Sequence, residues 1–380
     1  MYRDEYYMAE AIKLAKKGWF TTHPNPRVGC LLVRKNRIIA QGWHQYAGQG
    51  HAEVNALAQL EPGQAAGATA YVTLEPCSHF GQTPPCSNAL IDAGVQRVVL
   101  AMSDPNPLVA GAGSRRLQDS GIEVLSGVLE SEARALNPGF IQRMEQKRPF
   151  IRGKMAMSLD GRTAMSSGES QWITASDARE DVQRLRAESS AILTGIGTVL
   201  ADDPSMNVRS QRYAQIERQP DRVVLDSHLR MPAQAKMLVL PGNTVVIGAQ
   251  QYAPTEKINS LKDKGAQVYL LSGQQVVSAV AQESPRTSLS LADVMSLLVQ
   301  RQYNDILLEA GATLTGAMLA AGLIDELVIY MAPHLMGSDA RGLFNLPAMT
   351  TMSQRMHLAI EDIRAIGRDY RIIAKPQKLS

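Results

Sequence analysis

Short apolar runs alternate with amphipathic stretches along the first 148 residues. The runs rich in aliphatic and β-branched residues predict strands at 30–33, 38–40, 68–74, 95–102 and 122–125. The stretches with apolar residues at helical spacing predict helices at 4–18, 52–60, 85–93, 113–120 and 129–144. Strands that alternate with helices in this way predict a layered α/β domain.

A second α/β region follows a polar segment, residues 145–149, which ends in a proline and predicts a domain boundary. Beyond it, strands are predicted at 150–157, 222–226, 244–248, 268–271, 306–309 and 326–331, with helices between most of them. The chain has 380 residues, a length that suits two domains. We therefore predict one domain over residues 1–148 and another over residues 149–380.

The composition limits the classes of protein to which the chain could belong. Hydrophobic residues make up 45% and charged residues 20%, which predicts an ordered globular chain. Residues 1–148 carry 15 Lys and Arg against 13 Asp and Glu, and the remainder 24 against 23, so neither half has the basic surplus of a nucleic-acid binder. The acidic N-terminus does not resemble a signal peptide, and no uncharged apolar run reaches about 18 residues. We expect a cytoplasmic protein without membrane or nucleic-acid partners.

One constellation in the first half predicts a catalytic metal. His51, Cys77 and Cys86 supply three ligands of the kind that hold a tetrahedral zinc with one position left for water. Glu53, two residues after the histidine, would carry protons between that water and a substrate. Each half of the motif also occurs by chance, and unrelated buried thiols are the alternative. Cys30 is left over, and three cysteines do not make a disulfide framework.

Geometry restricts where His51 and Glu53 can lie. Residues two apart point about 200° away from each other in mid-helix, so the two side chains can converge only at the start of a helix. Cys86 is expected in the first turn of its own helix, where the helix dipole favours a thiolate.

A glycine-rich turn stands out in the second half. Residues 309–317 read as a strand end, a turn and a helix start, where backbone N–H groups bind phosphate well. A plain tight turn is an equally good interpretation, and the Gly-x-Gly-x-x-Gly pattern of a Rossmann fold is absent from it.

Longer motifs indicate a family. Residues 22–29 (Thr-His-Pro-Asn-Pro-Arg-Val-Gly) and 76–86 (Pro-Cys-Ser-His-Phe-Gly-Gln-Thr-Pro-Pro-Cys) closely resemble the deaminase half of the bifunctional riboflavin-biosynthesis deaminase-reductases. Residues 158–164, 168–174 and 198–204 resemble the reductase half, in the same order along the chain. The resemblance implies a cytidine-deaminase-like three-layer α/β/α domain followed by a dihydrofolate-reductase-like α/β domain. It also implies one Zn²⁺ per chain and NADPH.

The resemblance assigns roles to matching positions in the second half. Cofactor positions are Ala156, Trp172, Thr198, Asp202, Ser227 and the phosphate loop Gly311, Ala312, Thr313, Leu314, Thr315, Gly316 and Ala317. Substrate positions are Ser170, Arg186, Met206, Arg209 and Glu309. Taken singly, Trp172 could be a core aromatic, and Arg186 and Arg209 surface charges.

Other polar residues are candidates for binding from their chemistry. Asn25 and His44 could hydrogen-bond a pyrimidine edge, as could Asp104 and Asn106, although that pair is also a plain turn signal. Lys154 could place charge near the nicotinamide or be a cation at the rim.

Two positions depart from the family pattern. Ala310 stands where many members have glycine, which would disturb the backbone and cofactor affinity if φ there is positive. Asn207 stands where threonine is usual.

The leading hypothesis is a two-site enzyme. Its substrate, by resemblance, is 2,5-diamino-6-ribosylamino-4(3H)-pyrimidinone 5′-phosphate, which is deaminated and then reduced at the ribosyl C1′ by NADPH. The phosphate suits Arg186 and Arg209, because guanidinium groups pair with it bidentately. The alternatives are a nucleic-acid base deaminase with an accessory C-terminal domain and a non-catalytic protein with a structural zinc. We expect a homo-oligomer, with a dimer favoured.

Overall fold

A computed structural model describes residues 2–78, 84–107, 109–214, 216, 218–276 and 286–377. The chain divides into two compact units, Met1–Arg148 and Pro149–Ser380. Residues 79–83, which belong to the second zinc motif, lie outside the described residues.

The first unit is built on a five-stranded sheet. Its strands are β1 (Gly29–Arg34), β2 (Arg37–Trp43), β3 (Thr69–Val72), β4 (Arg97–Leu100) and β5 (Glu123–Ser126). Its helices are α1 (Tyr2–Ala15), α2 (Ala52–Leu57), α3 (Cys86–Asp92), α4 (Ala112–Asp119), α5 (Glu130–Leu136) and α6 (Pro138–Gln146). The strand order is β2-β1-β3-β4-β5, antiparallel up to β3 and parallel from β3 to β5.

Alternation along the strands divides the apolar side chains between two layers of helices. On β1, Leu31 and Val33 pack with α1, α5 and α6, whereas Cys30 and Leu32 pack with α2, α3 and α4. The predicted three-layer α/β/α arrangement is therefore confirmed. Because β3 and β4 are parallel, the segments that follow them leave the sheet at the same edge.

The second unit is built on a nine-stranded sheet and two small two-stranded antiparallel sheets. Its strands are β6 (Phe150–Ser158), β7 (Arg162–Ala164), β8 (Ala191–Gly195), β9 (Asp221–Leu225), β10 (Thr244–Ala249), β11 (Ala266–Leu271), β12 (Gly273–Val276), β13 (Arg286–Leu289), β14 (Asp305–Leu308), β15 (Glu326–Ala332), β16 (Arg341–Gly342), β17 (Leu358–Ile366) and β18 (Asp369–Pro376). Its helices are α7 (Ser176–Glu188), α8 (Ile196–Asp202), α9 (Thr255–Asp263), α10 (Leu291–Gln300) and α11 (Ala312–Ala320). The two small sheets are β12–β13 and β7–β16.

The large sheet has the order β11-β10-β9-β8-β14-β6-β15-β18-β17. The seven strands from β11 to β15 run parallel, and β18 and β17 continue the sheet as an antiparallel hairpin. Helices α10 and α11 cover one face, and α8 and α9 lie on the other. The carboxyl ends of β8, β9, β14 and β6 therefore meet at one edge, where ligands bind in open parallel sheets.

The sequence-based assignment joined two helices into one and missed several strands. The helix predicted over residues 129–144 is two helices, because Asn137 leaves the helical region (φ −132°, ψ 45°) before Pro138, which cannot donate a backbone hydrogen bond. Among the described residues, the strands that were not predicted are β7, β8, β12, β13, β16, β17 and β18. In the part of the chain that the structure covers, no helix has the length and apolarity needed to cross a membrane.

Candidate active sites

Three side chains of the first unit form a cluster with metal-ligand chemistry. The Nδ1 atom of His51 lies 3.1 Å from Sγ of Cys86 and 3.6 Å from Sγ of Cys77. All three ligand atoms lie within 4.8 Å of one another. Zinc bonds of about 2.0 Å to nitrogen and 2.3 Å to sulfur place tetrahedral ligands roughly 3.5 Å apart, so the donor set and its spacing fit zinc.

The chain brings the cluster together through the starts of two helices. His51 is the N-cap residue of α2 with extended backbone, and Glu53 lies inside the first turn. Both residues therefore lie at a helix start, the one place where the sequence analysis allowed their side chains to converge. Cys86 is the first residue of α3, as expected, and its N–H donates to Sγ of Cys77 at 3.3 Å.

The electrostatics of the cluster favour a thiolate and a proton carrier. Hydrogen bonds from the Cys86 thiol, and then from His51 and the Cys86 N–H, hold the pKa of Cys77 well below its ordinary value, although burial opposes them. Glu53 is 3% exposed, and burial raises the pKa of its carboxyl to about 7, against the opposing charge of His51. A carboxyl that titrates near neutrality can both accept and return a proton.

Asn25 and His44 form a hydrogen-bonded pair beside this cluster. The His44 ring lies edge-on to the His51 ring, with 5.5 Å between centroids. Nδ1 of His44 lies 3.1 Å from the carbonyl oxygen of Gly50, which can only accept, so Nδ1 carries the proton and Nε2 accepts from Nδ2 of Asn25 at 3.2 Å. Burial lowers the pKa of His44 and keeps the ring neutral. The amide orientation of Asn25 is thereby fixed.

Asp104 and Asn106 lie in the loop after β4, at the same sheet edge as Cys77. The N–H of Asn106 donates to Oδ1 of Asp104 at 2.8 Å, which is the turn that the sequence also allowed. Sequence reasoning missed Glu75, a buried carboxylate that accepts the backbone N–H groups of Asp104, Gly111 and Ser114. Its partners lie 29 to 39 residues away, so no local pattern signals the contact.

A buried ion pair organises the candidate site of the second unit. Arg186 on α7 donates from Nε and Nη2 to Glu309 after β14, at 2.6 and 2.9 Å, and from Nη1 to the Asn207 carbonyl at 3.0 Å. Lys154 and Arg209 are the other cations whose charge acts on Glu309. Burial lowers the pKa of Lys154. Arg186 is therefore not a surface charge, and three of its five N–H donors are engaged by Glu309 and the Asn207 carbonyl.

The remaining predicted substrate positions differ in exposure. Arg209 is exposed, and its backbone N–H donates to Gln183. Met206 is 2% exposed and packs in the apolar cluster beneath α8, with a positive φ of 44° that is unusual for its type. Ser170 is partly buried in the segment before α7. Trp172 is 66% exposed, and Cζ of Arg179 lies 4.7 Å from the centroid of its ring. The alternative that Trp172 is an aromatic residue of the core is therefore wrong.

The predicted cofactor positions are distributed along the carboxyl edge of the parallel strands. Ala156 lies in β6, Thr198 and Asp202 in α8 after β8, and Ser227 after β9. The Gly311 to Ala317 loop follows β14 and forms the start of α11, with Gly311 as its N-cap. The topology thus brings these positions to one edge of the sheet.

The glycine-rich turn has room above it. A Cβ added to Gly311 would meet no atom within 4 Å, whereas one added to Gly316 would lie 2.2 Å from the Asn345 carbonyl oxygen. Gly316 is thus required by chain packing, and Gly311 leaves space at the helix start. Ala310 does not have a positive φ, so its methyl group imposes no backbone strain.

Comparisons with known proteins identify the family. The RibD C-terminal domain matches residues 149–372, and the cytidine and deoxycytidylate deaminase zinc-binding region matches residues 1–102. Riboflavin biosynthesis protein RibD of Escherichia coli is 48% identical over 97% of this chain and 98% of its own length. The chain belongs to the RibD family.

Two solved structures match nearly the full length of the chain. Acinetobacter baumannii RibD is 45% identical with a TM-score of 0.89, covering 99% of both chains. The Thermotoga maritima diaminohydroxyphosphoribosylaminopyrimidine deaminase/5-amino-6-(5-phosphoribosylamino)uracil reductase is 30% identical with a TM-score of 0.83, again covering 99% of both chains.

Membership of the RibD family confirms the fold and the general activity predicted from the sequence. The first unit is a cytidine-deaminase-like, zinc-binding domain, and the second is the dihydrofolate-reductase-like RibD C-terminal domain. The chain is a bifunctional deaminase and reductase of riboflavin biosynthesis.

Proposed function

We propose that residues 1–148 deaminate 2,5-diamino-6-ribosylamino-4(3H)-pyrimidinone 5′-phosphate and that residues 149–380 reduce the product with NADPH. The product is 5-amino-6-ribitylamino-uracil 5′-phosphate. The observation that carries the proposal is the His51, Cys77 and Cys86 cluster with the buried carboxyl of Glu53 beside it. The name of the Thermotoga relative supports the substrate.

His51 through Nδ1, and Cys77 and Cys86 through Sγ, would hold one zinc ion. A bound zinc supplies a Lewis acid that makes water nucleophilic near neutral pH. Glu53 then takes a proton from the attacking water and passes it to the amino group that leaves the pyrimidine ring as ammonia. Its raised pKa suits both transfers.

Asn25 and His44 would bind the edge of the pyrimidine. Since Nδ2 of Asn25 donates to His44, its oxygen remains an acceptor for a ring N–H or amino group. Asp104 and Asn106 approach from the neighbouring strand end and would hydrogen-bond another part of the substrate.

The reductase half would hold NADPH along the carboxyl edge of its sheet. Phosphate groups fit the start of α11, where Gly311 leaves space and the helix dipole is positive. Ala156, Trp172, Thr198, Asp202 and Ser227 would line the same edge, and the cofactor supplies the hydride for C1′ of the ribosyl group.

The substrate side of this site would be built on the Arg186–Glu309 pair. Arg209 is exposed, and the structure gives its guanidinium no acceptor among the described residues, so it is the cation available to the substrate phosphate. Lys154, Ser170 and Met206 complete the proposed substrate positions. Arg186 would act mainly by holding Glu309 toward the substrate hydroxyls.

The outer hairpin of the large sheet supports a homodimer. A register shift after Ile360 keeps apolar side chains on one face of β17 and β18, and four of them are 42–61% exposed: Leu358, Ile360, Ile363 and Tyr370. A face of this kind on an edge strand is typical of a protein interface.

The metal site bears on the location of the protein in the cell. A site that needs two thiolates suits the reducing cytoplasm.

The two activities can be tested on one preparation. We expect a chelator to stop ammonia release from the aminopyrimidine phosphate and to spare NADPH oxidation when the deaminated compound is supplied. Glu53→Gln should retain one zinc per chain and lose ammonia release by at least about a hundredfold. Full activity of that variant would instead support a structural zinc.

A further inference from the structure

We propose that Glu75 is a positioning residue for the deaminase: its carboxylate holds the loop that presents Asp104 and Asn106 to the substrate. The inference rests on the proposed function of the first unit. Glu75 is 4% exposed and lies two residues before Cys77, so the same short segment reaches both the loop and the metal cluster.

The carboxylate is the common acceptor of a folded loop. Oε2 accepts the N–H of Asp104 at 3.1 Å and of Gly111 at 3.0 Å, and Oε1 accepts the N–H of Ser114 at 2.9 Å. These donors stand at the beginning of the loop after β4, at its end, and in the first turn of α4. One side chain therefore closes the loop at both ends.

Helix α4 depends on this contact because it has no cap of its own. Its N-cap residue is Gly111, which has a left-handed φ of 74° and no side chain to accept the first N–H groups of the helix. Glu75 supplies that acceptor from another element, and its negative charge lies at the positive end of α4.

The start of α4 also packs against the segment that leads to Cys77. A Cβ added to Gly113 would lie 2.0 Å from the carbonyl oxygen of Pro76, so α4 starts in direct contact with the residue before Cys77. The backbone N–H of Glu75 donates to the Met102 carbonyl at 3.0 Å, which joins the ends of β3 and β4. The position of Asp104 relative to Cys77 is thus set through Glu75.

This arrangement predicts a substrate-binding defect when the carboxylate becomes an amide. A glutamine has one acceptor oxygen, so Glu75→Gln must leave either the Ser114 N–H or the Asp104 and Gly111 N–H pair facing an NH₂ group. The zinc ligands keep their own contacts in that variant. We expect KM for the aminopyrimidine phosphate to rise at least about tenfold while kcat changes by less than about threefold.

The experiment uses the full chain and compares Glu75→Gln, Asn106→Ala and the double variant, with Glu61→Gln as an exposed carboxylate control in the same unit. Zinc content and NADPH oxidation of the deaminated compound should match the wild type in all four. Because Glu75 is inferred to act through the loop, Asn106→Ala should raise KM by less than about twofold in the Glu75→Gln background but by more in the wild type.

Amide hydrogen exchange measures how firmly Glu75 holds the loop, and this measurement does not depend on catalytic activity. Glu75→Gln should lose protection over residues 104–114, and Glu61→Gln should not. Unchanged protection, an unchanged KM, KM effects that multiply in the double variant, or loss of zinc from Glu75→Gln would each overturn the inference. If the wild type releases no ammonia, the proposed substrate is wrong, and hydrogen exchange alone decides the role of Glu75.

Discussion

Arg186 and Glu309 lie 123 residues apart in the sequence and form a two-pronged ion pair in the interior of the second unit. Both side chains are nearly buried, at 10% and 12% exposure. The planar guanidinium matches the two carboxylate oxygens, and its third contact reaches the Asn207 carbonyl. The pair thereby fixes α7, the end of β14 and the segment before Arg209 relative to one another.

Arg186→Lys should damage the reductase without affecting the deaminase. Lysine keeps the charge but cannot pair with both oxygens of Glu309 and also reach Asn207. We expect a loss of stability of about 1–3 kcal/mol, as for charged hydrogen bonds, and at least a tenfold fall in kcat/KM for NADPH oxidation. Calorimetry and steady-state kinetics on the deaminated compound measure the two effects.

The matched control is Arg364→Lys, because Arg364 makes a similar contact with Asp362 but is 58% exposed. It should leave both activities and the unfolding temperature nearly unchanged. Equal effects of the two substitutions would contradict a special role for the buried pair.

A fall in pH should lower the stability of the second unit by protonating Glu309. Burial alone would raise the pKa of this carboxyl, but Arg186, Lys154 and Arg209 hold it below the ordinary value of 4.5. A carboxyl with a lowered pKa stabilises the fold above its unfolded pKa, and this contribution is lost as the pH falls through the folded value. The stability difference between wild type and Glu309→Gln should therefore be constant above about pH 5.5 and shrink at lower pH. Calorimetric unfolding between pH 3 and pH 7 tests this, and a difference that grows on acidification would contradict it.

Local signals explain most of what the sequence predicted correctly. The apolar strands of both sheets are visible as aliphatic runs, and the convergence of His51 and Glu53 follows from helix geometry because both lie within three residues. Pro138 was a visible signal for the break between α5 and α6, but the apolar spacing continues across it and favoured a single helix.

Long-range contacts account for what could not be predicted. The β17 strand begins with three apolar residues, Leu358–Ile360, and continues with two acidic residues, Glu361 and Asp362, at a register shift, so its pattern matches neither a regular strand nor a helix. Glu75 reads as an ordinary polar residue between a strand and Pro76, and only the fold shows three N–H groups directed at it. The pairing of Arg186 with Glu309 could not be found by spacing, because 123 residues separate the two.

The zinc content of single variants should distinguish the two cysteine ligands, Cys77 and Cys86, from Cys30. Cys30 is fully buried in the apolar cluster under α2, where burial raises the pKa of its thiol, while Cys77 and Cys86 face His51. Cys77→Ser and Cys86→Ser should lower zinc far below one ion per chain, as measured by elemental analysis. Cys30→Ala should keep full zinc and ammonia release, and zinc loss in that variant would show that the ligand set is wrongly assigned.

The exposed apolar face of the β17–β18 hairpin should form the interface of the homodimer. Ile360 is 61% exposed on an edge strand, and a lysine there would place a charge in any apolar interface that covers the face. We expect the wild type to have twice the monomer mass of 41.4 kDa in light scattering, and Ile360→Lys to shift toward the monomer. Val239→Lys is the matched control, because Val239 is 80% exposed outside the hairpin, and it should leave the mass unchanged. A dimer that persists in Ile360→Lys and in the Ile360→Lys/Ile363→Lys double variant would place the interface elsewhere, since two lysines on neighbouring positions of one face cannot both be buried without a large desolvation cost.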